Sequence, residues 1–153
     1  MSNQQQIKAA LFAQCEVYVQ LRVSTAKQAM EAAQEAANSE SKSSAGDKYE
    51  TGRAMAQLER DRNAQLLAEA QKVERDLKQI NIDKSFTIGQ PGSLIMTSRG
   101  KFFISIGAGK LTLDGTDYFA VSAASPIGIA LSGRKAGDSV VFNKMAYQVL
   151  EVY

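Results

Sequence analysis

Apolar residues recur every three or four positions along two long segments in the first half of the chain. This spacing is typical of amphipathic helices that pack side by side, and it differs from the alternation of a strand. The first segment predicts a buried seam made of Ile7, Leu11, Cys15, Tyr18, Leu21, Thr25, Ala29, Ala32 and Ala36. The second helix should begin near Asp47, and its seam should comprise Met55, Leu58, Arg62, Leu66, Ala70, Val73, Leu77 and Ile80.

Between the two segments, residues Ser39 to Gly52 are polar, small and rich in Ser and Gly. Neither helix can bury its stripe alone, so two helices joined by a short polar break should fold back on each other. The pattern therefore predicts an antiparallel coiled-coil hairpin from about Ile7 to Ile80, with its turn between Asn38 and Asp47. Arms of about 33 residues would be roughly 50 Å long at about 1.5 Å per residue.

After Ile82 the helical spacing gives way to alternating apolar and polar positions, interrupted by Gly, Pro and Asp-Gly turns. The predicted strands are Leu94–Thr97, Lys101–Ile106, Lys110–Leu113, Tyr118–Ser122, Ser139–Phe142 and Tyr147–Val152. One short helix lies among them, with Ser125 as N-cap, Pro126 in its first turn and Gly133 at its end. The fold class is α+β: a hairpin over residues 1–82, with its tip near 39–52, and a small antiparallel sheet domain over 83–153.

Composition excludes several kinds of chemistry. The net charge of +2 argues against general nucleic-acid binding, and the absence of His removes the commonest general base and metal ligand. The one cysteine, Cys15, lies in an apolar helical pattern and should pack as a small hydrophobic residue. With no internal disulfide, no signal-peptide pattern and no run long enough to span a bilayer, the sequence predicts a cytoplasmic protein that does not contact membranes.

Asp47 and Glu50 are the candidate functional groups at the tip of the hairpin. Carboxylates three residues apart at a helix start lie on one face, where they could cap the helix as a capping box. Alternatively, they could complete a metal site that another protein builds in part, because Mg²⁺ takes six oxygen ligands and two carboxylates cannot supply them. The Gly107–Lys110 run lacks the spacing of a phosphate-binding loop, so no phosphate site is predicted there.

A segment near the C-terminus resembles the C-terminal signature of the bacterial transcript-cleavage factors GreA and GreB. Their pattern is Ser-Pro-x-Gly-x-Ala-Leu-x-Gly-x-Lys-x-Gly-Asp, which the residues from Ser125 to Asp138 match, and Tyr147–Glu151 resembles the family's closing run. The resemblance implies an FKBP-like fold for this domain and docking on RNA polymerase at the mouth of the secondary channel. It also implies that Ser125, Pro126 and Ile127 bind the polymerase, so Ile127→Asp should weaken binding and leave the melting temperature nearly unchanged.

The tip carries part of the same family's pattern, Gly-Asp-Leu-x-Glu-Asn-Ala-Glu-Tyr. Gly46, Asp47 and Glu50 are kept, whereas the Leu, Asn-Ala and Glu-Tyr positions differ. The resemblance implies that Asp47 and Glu50 assist a second Mg²⁺ in the polymerase active site, so that backtracked RNA is cut near its 3′ end. The protein would then be an accessory factor and not itself an enzyme, without a cofactor of its own.

Three other functions remain open. A channel-inserting regulator or inhibitor that does not stimulate cleavage is favoured by the changed tip residues, especially Lys48 and Arg53. A free-standing FKBP-like isomerase or chaperone would need an aromatic-lined pocket, and the sequence has few aromatic residues and no Trp. A coiled-coil dimer with only a scaffolding role would elute as a dimer, whereas the hairpin predicts an elongated monomer.

Overall fold

The computed structural model describes residues 3–41 and 46–153, and of residues 40, 41 and 46–49 it describes only the backbone. In chain order the helices and strands are α1 (Asn3–Ser41), α2 (Gly46–Lys78), β1 (Leu94–Thr97), β2 (Gly100–Ser105), β3 (Gly109–Leu113), β4 (Thr116–Ser122), α3 (Pro126–Leu131), β5 (Ser139–Phe142) and β6 (Met145–Val152). The predicted fold class is confirmed, with two long helices followed by six strands and one short helix. α1 continues to Ser41 and α2 begins at Gly46, close to the predicted start at Asp47, and the residues between the two helices, where the turn is predicted, lie outside the described residues.

The strands form one sheet in the order β3-β4-β2-β1-β6-β5. Neighbouring strands are antiparallel with one exception, the parallel pair of β2 and β4, which aligns Phe102 with Phe119 and Ser105 with Ser122. The β1–β6 pair contains a register shift between Met96 and Thr97. The sequence predicted a purely antiparallel sheet, so the parallel pair is a correction. It arises because β4 pairs with a strand that is not its neighbour in the chain.

Both faces of the sheet are covered near its centre. On one face, α3 contributes Leu131 to a core that includes Ile95, Phe102, Ile104 and Val149. On the other face, the beginning of α1 approaches the sheet, where the Cys15 Sγ lies 3.7 Å from the Ser105 Oγ. Leu11 and Cys15 are fully buried there, and so is Phe103 of β2. Cys15 is therefore a packing residue, as predicted.

The residues from Val19 to Arg75 form a separate compact unit in which the two long helices pack antiparallel. The Gln20 Nε2 donates to the Glu74 Oε2 at 2.6 Å, and the Arg60 Nη1 donates to the Gln34 Oε1 at 3.1 Å. Gln34 follows Gln20 by fourteen positions, and Arg60 precedes Glu74 by fourteen. The two contacts therefore share one antiparallel register, which confirms the hairpin.

The seam of this unit differs from the predicted one. Its buried residues on α1 are Val19, Ala26, Ala33 and Ala37, whereas the predicted Leu21 is 66% exposed. On α2 the prediction holds at the buried Ala70, and it holds also at the buried Leu77, which belongs to the other compact unit. It fails nearer the tip at Met55, Leu58 and Leu66, which are exposed. The predicted Tyr18, Thr25 and Ala32 are likewise not buried, because each precedes a buried residue by one position and so faces about 100° away from the seam. Alanines fill the true seam, and the larger side chains lie outside it.

The other compact unit combines Met1–Tyr18 with Asp76–Tyr153. The first part of α1 therefore belongs to the same compact unit as the sheet. The predicted boundary between residues 82 and 83 rests on composition and stays a prediction. Within the described ranges, no helix is long and apolar enough to cross a membrane.

Candidate functional site

The first candidate site is the corner at which α3 begins. Ser125 has an extended backbone, and its Oγ accepts a hydrogen bond from the Gly128 N at 3.1 Å. The same hydroxyl donates to the Ser122 O at 2.6 Å, so both of its hydrogen-bonding functions are used inside the protein. Pro126 takes the first helical position, where its missing N–H costs nothing. Ser125 is therefore an N-cap that fixes the direction of a short helix, as predicted.

Hydrophobic side chains of α3 point in two directions. Ile127 and Leu131 pack against the core under the helix, and Leu131 is fully buried. Pro126 is exposed, and Ile129 is 64% exposed. Pro126 and Ile129 are three residues apart, so they lie on the same outer side of the helix. The outer apolar surface of this corner is thus formed by Pro126 and Ile129, and the docking role of Ile127 stays a prediction.

Glycines in the signature segment serve the fold. A Cβ on Gly128 would collide with the backbone carbonyl of Ser122, so only glycine allows α3 to lie this close to the end of β4. Gly133 and Gly137 have positive φ angles of 74° and 95°, which favour glycine. Their amides donate to the Gly89 O and the Val149 O, each at 2.8 Å. This part of the resemblance is explained by backbone geometry.

Two cations follow the corner. Arg134 and Lys135 are exposed, and the Arg134 Nε donates to the Ala130 O at 3.4 Å, which holds the guanidinium beside the last turn of α3. The Lys135 backbone is fixed as well, because its N–H donates to the Asp138 Oδ2 at 3.0 Å. The corner therefore presents an apolar strip of Pro126 and Ile129 beside two positive charges. Such a surface suits a partner that is apolar and acidic.

The second candidate site is the start of α2. The helix begins at Gly46, one residue before Asp47, and an N-cap residue precedes the first helical residue. Asp47 therefore lies at the start of the helix, and its role as a helix cap stays a prediction. Its side chain lies outside the described residues. Glu50 is exposed on the same helix, so its carboxylate is accessible to a partner.

A magnesium ion is the group that the resemblance implies at this site. Among the residues whose side chains are described, no three acidic or sulfur ligands lie close enough to hold a metal ion. Glu50 supplies a hard carboxylate oxygen of the kind that Mg²⁺ prefers, and it is open to solvent. The donor chemistry therefore fits a shared site, in which another macromolecule contributes most of the ligands. It does not fit an ion held by Glu50 alone.

One buried cation was missed by sequence reasoning. Lys8 on α1 is fully buried, and its Nζ donates to the Lys84 O at 2.9 Å and to the Tyr153 O at 3.4 Å. The ammonium also lies 4.8 Å from the centre of the Phe86 ring. Burial lowers the pKa of Lys8, and nearby Asp83 opposes that shift. These contacts tie the beginning of α1 to two backbone carbonyls, so the role of Lys8 is structural.

Comparisons with known proteins give a structural likeness. No family model matches the chain, and no curated protein sequence matches it. Among solved structures, the chain is similar to a crystal structure of GreA factor homolog 1 (Gfh1) protein of Thermus thermophilus. The sequences are 20% identical, the match covers 88% of this chain and 92% of that one, and the TM-score is 0.35. At this similarity the likeness supports no conclusion about activity or residue roles.

Proposed function

We propose that this protein is an accessory factor of bacterial RNA polymerase that acts through the secondary channel. The observation that carries the proposal is the antiparallel hairpin, with the register defined by Gln20–Glu74 and Gln34–Arg60. Its α2 starts with the Gly46-Asp47 pair and the exposed Glu50, the tip positions at which the sequence resembles the transcript-cleavage family. A slender hairpin that begins its second helix with carboxylates is suited to reach into a narrow channel.

Docking is assigned to the α3 corner. Ser125 and Pro126 set the start of the helix, and Pro126 and Ile129 form its exposed apolar side. Ile127 supports that side from within by packing on the core. In this proposal the species that acts is the monomer predicted from the sequence. The protein then acts in the cytoplasm, where the polymerase is.

In the proposed mechanism, Asp47 and Glu50 are catalytic assistants and not a complete active site. Their carboxylates would supply oxygen ligands and negative charge to a Mg²⁺ ion that the polymerase holds in part. Such an ion, when bound, activates water for phosphodiester hydrolysis. Asp47 and Glu50 are three residues apart in the sequence of α2, a spacing that puts two helical positions on one face. The bond that breaks lies in backtracked RNA, and the polymerase performs the reaction.

A stalled, backtracked elongation complex tests this function. Adding the protein should shorten the RNA from its 3′ end and release a short fragment, and the protein without polymerase should leave the same RNA intact. If the protein binds the complex and blocks nucleotide addition without any cleavage, the inhibitor alternative replaces the proposal. If it does not bind, the resemblance of the α3 corner is structural only. Prolyl-isomerase activity on a peptide in the absence of polymerase would instead favour the FKBP-like alternative.

A further inference from the structure

The helical unit exposes a second apolar stripe beside its alanine seam. Leu21 on α1 is 66% exposed, and Met55, Leu58 and Leu66 on α2 are 65%, 67% and 44% exposed. Such side chains are large, whereas the buried residues of the seam are mostly alanines. An exposed apolar patch of this kind commonly marks a surface that another protein covers.

A groove lies between the two helices beside Leu21 and Leu66 of this stripe. It has a volume of about 350 Å³, and its walls include Leu21 and Thr25 from α1 and Leu66 from α2. Leu66 lies at one end of the α2 stripe and Met55 lies at the other, eleven residues or about 16 Å away. Methionine is flexible and fills irregular gaps well. Met55 from another copy therefore has the chemistry to occupy the groove beside Leu66.

Two charged residues lie on the α2 stripe among the apolar ones. Arg62 lies four residues before Leu66, and Glu59 lies four residues after Met55, so each charge shares a helix face with one apolar residue. In the part of the chain that the structure describes, the ion pairs include Arg60–Asp61 and Lys110–Asp117. Neither Arg62 nor Glu59 has an ion-pair partner among those residues.

We propose that this stripe binds a second copy of the same chain, with the two α2 helices antiparallel across a two-fold axis. If Arg62 opposes the partner's Glu59, the equal four-residue spacings place Leu66 opposite the partner's Met55. The two-fold axis repeats both contacts, so one register satisfies two charge pairs and two apolar pairs. Such self-complementarity is what an isologous interface requires. The surface and the charge pattern lie within the helical unit, so the inference does not rest on the proposed function.

The interface is small. A face about 16 Å long and about 20 Å wide is well below the roughly 800 Å² per partner of a stable complex. The dimer should therefore be transient, with a dissociation constant of about 10 to 100 µM. It would dissociate at low concentration and leave the monomer that the proposed function requires.

Sedimentation velocity over about 1 to 500 µM tests the proposal, since that range brackets the expected dissociation constant. The wild-type chain should shift from monomer to dimer. Arg62→Glu should weaken the dimer about tenfold or more, because the new carboxylate on each copy would then face Glu59 of the other copy. Glu59→Arg should do the same, and combining both changes should restore the wild-type dissociation constant. Arg75→Glu is the matched control, because Arg75 is nine residues beyond Leu66 and faces the opposite side of α2. It should leave the dimer unchanged.

Oxidative cross-linking tests the register independently. The double variant Met55→Cys/Leu66→Cys should form intermolecular disulfides, because the proposed register places position 55 of each copy opposite position 66 of the other. Either single change should cross-link poorly, because identical positions lie about 16 Å apart across the axis and a disulfide spans about 6 Å between Cα atoms. A monomer at every concentration would overturn the proposal, and so would a dimer that the charge swap fails to rescue. Equal cross-linking by the single variants would refute the antiparallel register.

Discussion

The two isoleucines of α3 give a sharp prediction, because they are two residues apart and have opposite surroundings. Ile127 is half-buried and packs against the core that contains Ile95, Phe102 and Leu131, whereas Ile129 is 64% exposed. Asp at position 127 would forfeit about half of the roughly 2 kcal/mol that full burial of an isoleucine contributes. It would also bring a carboxylate against apolar side chains, which adds about 1 to 3 kcal/mol. We therefore expect Ile127→Asp to lower the free energy of unfolding by about 2 to 4 kcal/mol.

At position 129 the same substitution should change the free energy of unfolding by less than about 0.5 kcal/mol, because the side chain is already in water. For a unit of roughly 100 residues, each kcal/mol corresponds to a shift of about 4 to 8 °C in melting temperature. Calorimetry should therefore show Ile127→Asp melting at least about 8 °C below wild type and Ile129→Asp within a few degrees of it. This expectation differs from the prediction from sequence that Ile127→Asp would leave the melting temperature nearly unchanged, because Ile127 packs against the core.

Polymerase binding separates docking from folding in the same pair of variants. Ile129→Asp should weaken binding about tenfold or more while the fold is kept, because it places a charge in the centre of the apolar strip. The reasoning about α3 would be refuted if Ile127→Asp melted at the wild-type temperature. If Ile129→Asp bound polymerase as well as wild type, docking would not involve the outer side of α3.

Three further predictions follow from the described contacts. In denaturant unfolding, Gly128→Ala should destabilise the sheet unit by about 2 kcal/mol or more. Gly107→Ala is the control and should have little effect, because a Cβ there meets no neighbouring atom within 4 Å. Burial lowers the pKa of Lys8 below the usual 10.5. Between the folded-state pKa and 10.5, the unfolded chain therefore binds more protons than the folded chain. The free energy of unfolding should rise with pH in that window. Lys8→Met should remove that slope, and an unchanged slope in this variant would show that another group causes it. Burial raises the pKa of the Cys15 thiol, so an aromatic disulfide reagent should modify it only on unfolding, and rapid modification of the native protein would contradict its placement against Ser105.

Much of the fold is determined locally and was therefore predictable from sequence. The six strands were predicted because alternation and turn residues mark each one separately, and β1 and β5 have the predicted bounds. The cap of α3 was predictable for the same reason, since Ser125 and Pro126 act on adjacent backbone groups. The parallel pairing of β2 with β4 was not, because it depends on which non-adjacent strands meet in space.

The seam of the hairpin shows a different limit. Between residues 26 and 37, α1 carries alanines both on the buried stripe and on the stripe one position earlier, so hydrophobicity alone does not distinguish them. On α2 the larger apolar residues suggested the wrong stripe, because packing close to an alanine-lined helix excludes bulky side chains from the seam. The exposure of Ile129 was likewise not predictable, since a six-residue helix gives too short a pattern to show which side faces the sheet. Lys8 gave no signal, because its partners are backbone carbonyls far away in sequence.

The rate of RNA cleavage in a backtracked complex, compared between wild type and Asp47→Asn at saturating protein, tests the central claim most directly. The substitution keeps the size of the side chain and removes its charge, and docking through the α3 corner should persist. We expect cleavage to fall about 10²-fold or more, equivalent to about 2.7 kcal/mol in the barrier, and Glu50→Gln to behave alike. Polymerase binding measured in parallel should stay at the wild-type level for both variants. Wild-type protein that binds the polymerase but never accelerates cleavage at any Mg²⁺ concentration, or an Asp47→Asn variant that cleaves at the wild-type rate, would contradict the account.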